Sequence, residues 1–201
     1  MFDTYILVNN GKAIIEQSST SHDNKARIGQ SGNDHDAQIY QNGNVTFSEA
    51  NIDQYPAASG NNRGLIRQTN STLSSARITQ NAGTFPGASG TGNNIAEVYQ
   101  GSAPYGLSSG NVTTVVQENG FNISRNEQFG TDNRVEIDQS GNGNLVTGPS
   151  GVYAAGIAHQ EGLMNKAFIT QVAGTTANMA SLFQNGSNNM ATINQNSSVA
   201  P

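Results

Sequence analysis

The chain has 201 residues, of which 34% are hydrophobic and only 11% are charged, and its formal net charge is −5. Disordered chains with so few apolar residues usually carry a high net charge, and nucleic-acid partners require a basic surface, so neither class fits. The absence of cysteine excludes a disulfide framework and a thiolate metal site. A polar low-complexity chain and a stacked β-array remain as structural classes.

Residues 1–10, "MFDTYILVNN", form a leader whose alternating apolar residues can add an extra strand. The longest apolar run near the start, Tyr5 to Val8, is too short for a membrane span or for the core of a signal peptide. If the natural protein is secreted, we therefore expect this chain to be its mature form.

Residues 11–195 form a repeat array in which a unit of the form A-x-I-x-Q recurs, and residues 196–201 are a short tail. Two units make one repeat of roughly 22 residues or more, within the range of stacked solenoids. Long links precede Gln100, Gln117 and Gln160, and we expect their extra residues to bulge from the edges of the stack. The fourteen units close at Gln17, Gln30, Gln41, Gln54, Gln68, Gln80, Gln100, Gln117, Gln128, Gln139, Gln160, Gln171, Gln184 and Gln195.

Four alternate positions in each unit carry recurring residue types: the closing Gln and the residues two, four and six positions before it. Ala is the commonest residue at minus four. The minus-two column contains Ile15, Ile28, Ile39, Ile52, Ile66, Ile78, Ile137, Ile169 and Ile193. The minus-six column contains Asn24, Asn62, Asn94, Asn111, Asn122, Asn133, Asn165, Asn178 and Asn189. Side chains with a period of two lie on one face of a strand.

Charged residues are sorted between the two faces of these strands. None of the four inward columns contains Asp, Glu, Lys or Arg, and their one ionisable side chain is His35. Most of the charges lie at the interleaved positions, among them Arg67, Arg77 and Glu136. The sorting predicts one buried and one solvated face. His159 lies at an interleaved position and is predicted to be a surface residue.

The sequence therefore predicts an all-β fold: a β-solenoid of about seven two-strand turns (strand–arc–strand), with two facing parallel sheets in a cross-β amyloid stack. A buried amide without a partner costs on the order of 1–3 kcal/mol. A ladder of stacked Gln side chains avoids that cost, because each amide donates to one neighbour and accepts from the other. The glycines two residues after a Gln are predicted to adopt positive φ in the arcs. They are Gly32, Gly43, Gly130, Gly141, Gly162 and Gly186.

Two units depart from the frame. The unit that ends at Gln128 has Ser124 and Asn126 at inward positions, and the unit that ends at Gln160 has Gly156 and Ala158 there. Small or polar residues fill the space between two sheets less well than Ile and Ala do. We expect these two layers to be the weakest.

The frame resembles the curlin repeat of curli subunits, the secreted amyloid of bacterial biofilm matrix. The pattern Q-x-G-x-x-N-x-A-x-x-x-Q is intact at Gln160–Gln171 and Gln184–Gln195. It has one change in each of two further frames, with Val135 in place of Ala and His35 in place of Asn. The resemblance covers about residues 11–195 and rests on fourteen half-repeats in phase.

This resemblance implies a structural subunit of an extracellular, cell-surface functional amyloid fibre with a matrix or adhesive role. The implied partners are further copies of the same chain, stacked head to tail, together with a nucleator subunit and an outer-membrane secretion pore. Neither nucleic acid nor a membrane span is expected. The compact repeats of the best-known members and the glycine-rich leader of their major subunit differ from the long links and the leader of this chain.

Other classes fit the sequence less well. A capped soluble β-solenoid, such as an adhesin or an ice- or surface-binding domain, needs polar caps, and the two ends of the array look open. A calcium-binding β-roll needs glycine- and aspartate-rich nonapeptides, which the sequence lacks. An enzyme is not expected, because His22, His35 and His159 show no nucleophile–base spacing. We predict no catalytic, cofactor-binding or metal-binding residue.

Overall fold

The computed structural model describes residues 2–9, 11–18, 20, 22–55, 61–81, 94–101, 108–141, 143–148, 157–173 and 177–197. In these ranges the chain forms nineteen strands and no helix, so none of its described segments is a helix suited to crossing a membrane. The strands form two sheets, named A and B below.

Sheet A has eight strands, in the spatial order in which the chain visits them. They are β1 (Phe2–Asn9), β3 (Lys25–Asn33), β5 (Glu49–Tyr55), β8 (Ser75–Asn81), β11 (Val112–Glu118), β13 (Arg134–Ser140), β16 (Lys166–Ala173) and β19 (Met190–Ser197).

Sheet B has seven layers that end in glutamine, and two of these layers are split into two strands. Its strands are β2 (Lys12–Gln17), β4 (Asp36–Asn42), β6 (Arg63–Thr69), β9 (Ile95–Gln100), β12 (Ile123–Thr131), β14 (Leu145–Thr147), β15 (Ala158–Leu163), β17 (Met179–Ser181) and β18 (Phe183–Ser187). Two short strands, β7 (Ser71–Thr72) and β10 (Ser108–Ser109), continue this sheet along an arc.

Successive glutamine units alternate between the sheets, so that two consecutive units make one turn of the solenoid. Every strand pairing is parallel, and equivalent positions are in register, as in Gln30 opposite Gln54 and Gln54 opposite Gln80. A parallel pairing needs a crossover connection, and here the arc through the opposite sheet supplies it. The all-β prediction with two facing parallel sheets is confirmed.

The arcs use two residues with positive φ. The six predicted glycines all have positive φ, between 76° and 112°, which confirms that prediction. The second residue with positive φ directly precedes the minus-six residue, and the sequence analysis did not predict it. This residue is Asp or Asn in some layers and a large apolar residue, such as Phe47 or Leu73, in others. Their side chains are 61% and 62% exposed, so the left-handed backbone there projects a large apolar group into solvent.

The core lies between the sheets and consists mainly of the Ile and Ala columns. The predicted isoleucines of the inner layers are at most 1% exposed. Ile15 and Ile193, in the first and last glutamine layers, are only partly buried, as are Ala13 and Ala191 beside them. The core is therefore incomplete at both ends of the stack.

The layer that ends at Gln160 differs from the prediction. Its strand begins at β14, is interrupted after Thr147, and resumes at β15, with residues 149–156 outside the described residues. Val146 is buried and pairs with Ser124 of the neighbouring strand, so it occupies the inward position four residues before the glutamine. The distance from Gln160 had predicted Gly156 at that position, and Gly156 lies outside the described residues. The long link before Gln160 is thus an insertion within a strand of sheet B. The links before Gln100 and Gln117 include residues 82–93 and 102–107, which lie outside the described residues.

The outward face is less uniformly solvated than predicted. His159 is 1% exposed, which corrects its assignment as a surface residue. Its imidazole lies 2.7 Å from the Glu127 carboxylate and stacks on Phe183, with 5.4 Å between ring centroids. Asp53 and Glu97 are also buried on this face, at 5% and 7% exposure. Neighbouring long side chains along the strand ladder cover these groups.

The leader residues 2–9 form β1, which pairs with β3 in register from Phe2 opposite Ala26 to Asn9 opposite Asn33. At the other end of the array, β19 runs to Ser197, two residues into the predicted tail. The leader thus adds one strand to sheet A.

Candidate functional site

The glutamine columns form two continuous ladders of side-chain hydrogen bonds. In sheet A, each Nε2 donates to the Oε1 of the glutamine in the next layer, from Gln30 through Gln54, Gln80, Gln117, Gln139 and Gln171 to Gln195, at 2.7–2.9 Å. In sheet B, the ladder runs from Gln17 through Gln41, Gln68, Gln100, Gln128 and Gln160 to Gln184, and from Gln41 onwards its steps are 2.5–3.1 Å. These side chains are buried in the inner layers.

From Gln30 onwards, each ladder amide also joins the two sheets. The Nε2 of Gln80 in sheet A donates to the backbone carbonyl of Arg63 in sheet B at 3.0 Å, in addition to its bond with Gln117. In the opposite direction, Gln100 in sheet B donates to the carbonyl of Ser75 in sheet A at 3.0 Å. A primary amide has two donor hydrogens, and this geometry uses one along the stack and one across it.

The asparagine column hydrogen-bonds mainly to the backbone of the arcs. Asn133 donates from Nδ2 to the carbonyls of Phe129 at 2.6 Å and Gly162 at 3.1 Å, and its Oδ1 accepts the backbone N–H of Asn165 at 3.0 Å. One side chain thus fastens its own arc and the arc of the next layer. Asn122 and Asn165 make equivalent contacts in their layers.

The structure places the predicted asparagines in this column, with burial that depends on the layer. Seven of the nine are buried, while Asn178 is half-buried and Asn189 exposed in the last turn. Counting back from Gln160 missed Asn144, which is 0% exposed and bonds to Asn122. Counting forward five residues from the preceding glutamine, Gln139, would have found it, because Gln117, Gln128 and Gln160 are also followed by a column asparagine at that distance.

His35 occupies the asparagine column and reproduces two of the three bonds that Asn133 makes. Its Nε2 is 3.0 Å from the carbonyl of Ser31, four residues earlier, and its Nδ1 is 3.3 Å from the backbone N–H of Asn62 in the next layer. This arrangement corresponds to a neutral imidazole that donates from Nε2 and accepts at Nδ1. Burial lowers the pKa of His35 below its ordinary value of 6.5. A protonated ring would lose the acceptor that Asn62 uses.

Two carboxylates on the outer face are held by pairs of arginines from neighbouring layers. Asp53 lies 3.1 Å from the Arg27 guanidinium and 3.9 Å from that of Arg77. Glu97 lies 3.1 Å from the guanidinium of Arg125 and 3.7 Å from that of Arg63. Each acid links three successive layers of one sheet, so the outward charges form alternating ladders parallel to the amide ladders.

Tyr99 lies beside the Glu97 group, and its pKa is raised by burial and by the negative charge of Glu97. In the part of the chain that the structure describes, no cluster of three His, Asp or Glu side chains is arranged to hold a metal ion. The arrangement of side chains that recurs through the described layers is that of the amide ladders.

The ladders have a direction and two unlike ends. Every step donates towards the C-terminal layer, so the N-terminal layer presents acceptors and the C-terminal layer presents donors. Gln184 and Gln195 donate across the sheets, to the carbonyls of Lys166 at 3.1 Å and Met179 at 2.8 Å, and no further glutamine follows them in the described residues. One donor hydrogen on each terminal amide is thus left for a further layer.

Comparison with known families identifies this repeat. Residues 130–172 match the model of the curlin associated repeat. No curated protein and no solved structure gives a significant match to the chain. The matched segment contains β13, β16 up to its last residue but one, and the intact frame from Gln160 to Gln171. The same frame geometry extends through the other layers of both sheets, and residues 130–172 of the chain are similar to the curlin associated repeat.

Proposed function

We propose that this chain is the structural subunit of a curli-like functional amyloid fibre, in which copies stack head to tail by β-strand pairing. The observation that carries the proposal is the matched polarity of the ladder ends. The donor amide of Gln184 in one copy complements the acceptor oxygen of Gln17 in the next, because every internal step of the sheet B ladder has that arrangement. Stacking of unlike ends does not close on itself, so it produces a filament.

The incomplete core at the two ends supports the same arrangement. Ile15 and Ala13 at one end, and Ile193 and Ala191 at the other, are partly buried members of columns that are fully buried elsewhere. A second copy stacked in register would bury them, at about 25 cal/mol for each Å² of apolar surface removed from water. The edge strands β18 and β19 also present backbone N–H and C=O groups that a further strand can pair.

The outward face suits a fibre that grows lengthwise. Arg67, Arg77 and Glu136 are interleaved along the strands and place charge on the sheet surfaces rather than at the stacking ends. Charges at such positions oppose lateral association of sheets. We propose that these side chains act as gatekeepers against sideways aggregation.

The proposed biological setting rests on the similarity of residues 130–172 to the curlin associated repeat. Curlin repeats belong to structural, non-enzymatic proteins of extracellular fibres, and we propose the same location and a biofilm-matrix or adhesive role for this chain. A nucleator subunit and an outer-membrane secretion pore are proposed partners on the same basis. In this proposal the Gln and Asn columns hold the core of each copy together and set the register in which the next copy stacks.

The test is assembly of the purified chain after removal of denaturant, observed by negative-stain electron microscopy and fibre diffraction. We expect unbranched fibrils with a spacing near 4.7–4.8 Å along the fibre. Removal of a terminal amide, in Gln17→Ala or Gln195→Ala, should slow thioflavin-monitored growth more than Thr79→Ala, an outward change in a middle layer. A chain that stays monomeric at high concentration would instead support a capped soluble β-solenoid with an adhesive or surface-binding role.

A further inference from the structure

Strand β1 makes the two sheets unequal. Within the described residues, sheet A contains seven glutamine-bearing strands and β1, whereas sheet B contains seven glutamine layers. Each of the seven turns contributes one layer to each sheet. The strand β1 is therefore an additional layer on sheet A that has no counterpart in sheet B.

The register shows that β1 interrupts the amide ladder. Ile6 lies opposite Gln30, at the position that glutamine occupies in the other seven strands of sheet A. An isoleucine has no hydrogen-bond donor to offer. Gln30 is only 2% exposed, and its Oε1 accepts no hydrogen bond from the described residues. The other glutamine oxygens of sheet A each accept the amide of the preceding layer.

Head-to-tail stacking in phase requires the edge of β3 that β1 covers. In one copy the last turn consists of β18 and β19, and in the next copy the first complete turn consists of β2 and β3. If Gln184 donates to Gln17, the solenoid continues in sheet A only when Gln195 is opposite Gln30. With β1 retained, β19 would pair with β1, and β18 would lie about two strand spacings (about 9.6 Å) from β2, which leaves a gap one strand wide in sheet B.

We propose that β1 is a displaceable strand that covers the β3 edge within one copy, and that the β19 strand of a second copy replaces it when the fibre grows. This inference rests on the proposed head-to-tail assembly. Both β1 and β19 have eight residues, so β19 can replace the backbone hydrogen bonds that β3 makes with β1 by a pairing of equal length. The side chains differ, because Gln195 supplies the donor that Gln30 Oε1 lacks. The partner is thus a second copy of this chain.

A cysteine cross-linking experiment distinguishes the two arrangements, since the sequence contains no cysteine of its own. If the exchange occurs, Asn196 of one copy lies opposite Ser31 of the next, one residue beyond the Gln195–Gln30 pair. If β1 stays in place, Asn196 lies opposite Leu7, because Leu7 pairs with Ser31 within the copy. The two double variants are therefore Ser31→Cys with Asn196→Cys, and Leu7→Cys with Asn196→Cys.

Fibres of each double variant are grown under reducing conditions, oxidised, dissolved in denaturant and separated with and without reductant. We expect covalent multimers from the Ser31/Asn196 pair and none from the Leu7/Asn196 pair. Multimers from the Leu7/Asn196 pair, or from neither pair, in fibres of normal appearance would overturn the exchange while leaving fibre formation intact. Absence of fibres from the unmodified chain would instead contradict the proposed function.

Growth kinetics give an independent readout. Removal of residues 2–9 should speed seeded elongation, because no strand has to leave the β3 edge. Ile6→Gln places a donor opposite Gln30, strengthens β1 pairing and should slow elongation by about tenfold. Leu7→Gln, opposite Ser31 rather than Gln30, is the matched control and should elongate like the parent chain. Equal elongation rates for the parent, the truncated chain and Ile6→Gln would contradict the exchange.

Discussion

Replacement of Gln117 by glutamate tests whether the buried amides act as a connected ladder. The Gln117 side chain is 0% exposed, accepts from Gln80 at 2.9 Å, and donates to Gln139 Oε1 at 2.8 Å and to the carbonyl of Ile95 at 3.0 Å. A carboxylate has the same shape but cannot donate. Gln139 Oε1 would lose its donor and face a negatively charged oxygen.

The expected loss of unfolding free energy for Gln117→Glu is about 3–5 kcal/mol at neutral pH, since it combines an orphaned buried acceptor with an unpaired buried charge. The matched control is Gln38→Glu, the same change at the one glutamine outside the ladders. Gln38 is part-exposed and bonds to Asp36 on the outer face, so its change should cost less than about 1 kcal/mol.

The measurement is guanidinium unfolding of freshly desalted, unassembled chain, followed by far-ultraviolet circular dichroism. Burial should raise the pKa of the new carboxyl above its unfolded value of about 4.3. The penalty is therefore present above the folded pKa and disappears as the pH falls to the unfolded value, where a protonated carboxyl can donate. A Gln117→Glu loss no larger than that of Gln38→Glu at neutral pH would refute the ladder as a stabilising element.

Three further substitutions test the arcs and their columns. Burial places the pKa of His35 in the folded chain below 6.5, so as the pH falls the imidazole becomes protonated in the unfolded chain before it does in the folded chain. The free energy of unfolding should therefore decrease as the pH drops below 6.5, and the unfolding midpoints of His35→Asn should lack this part of the pH dependence. Asn133→Ala leaves arc donors and acceptors unpaired and should cost about 2–4 kcal/mol in denaturant unfolding, whereas Asn51→Ala, which loses one outward bond to a glutamate, should cost under about 1 kcal/mol. Gly162→Ala combines a φ of 112° with a Cβ only 1.9 Å from the next arc carbonyl and should lower the thermal midpoint strongly; Gly29→Ala, whose Cβ meets only movable side-chain atoms, is the control, and equal midpoints would contradict the arc geometry.

The repeat columns could be predicted because a period of two and a stacked register leave a strict record in the sequence. The Gln and Ile columns recur because each layer must match the layer below, and a slip of one residue would bring charges inward. The same logic located the arc glycines, since a tight arc needs positive φ at a fixed distance from the last inward residue.

The features that were missed depend on three-dimensional neighbours or on a change of reference point. Asn144 was hidden because an insertion separates it from Gln160, although its distance from Gln139 is regular. The burial of His159 depends on Phe183 and Phe129 in adjacent layers, and single-strand alternation carries no information about such coverage. The buried Gln30 oxygen could be found only once the register of β1 was known.

The axial repeat of the assembled fibre tests the central claim most directly, and helical reconstruction from electron cryo-microscopy images measures it. Seven layers per copy at about 4.8 Å each predict a rise of about 34 Å between successive subunits. A retained β1 would lengthen that repeat by about one strand spacing. A rise of about 4.8 Å per chain, with each copy flattened into a single layer, would contradict a solenoid that stacks head to tail.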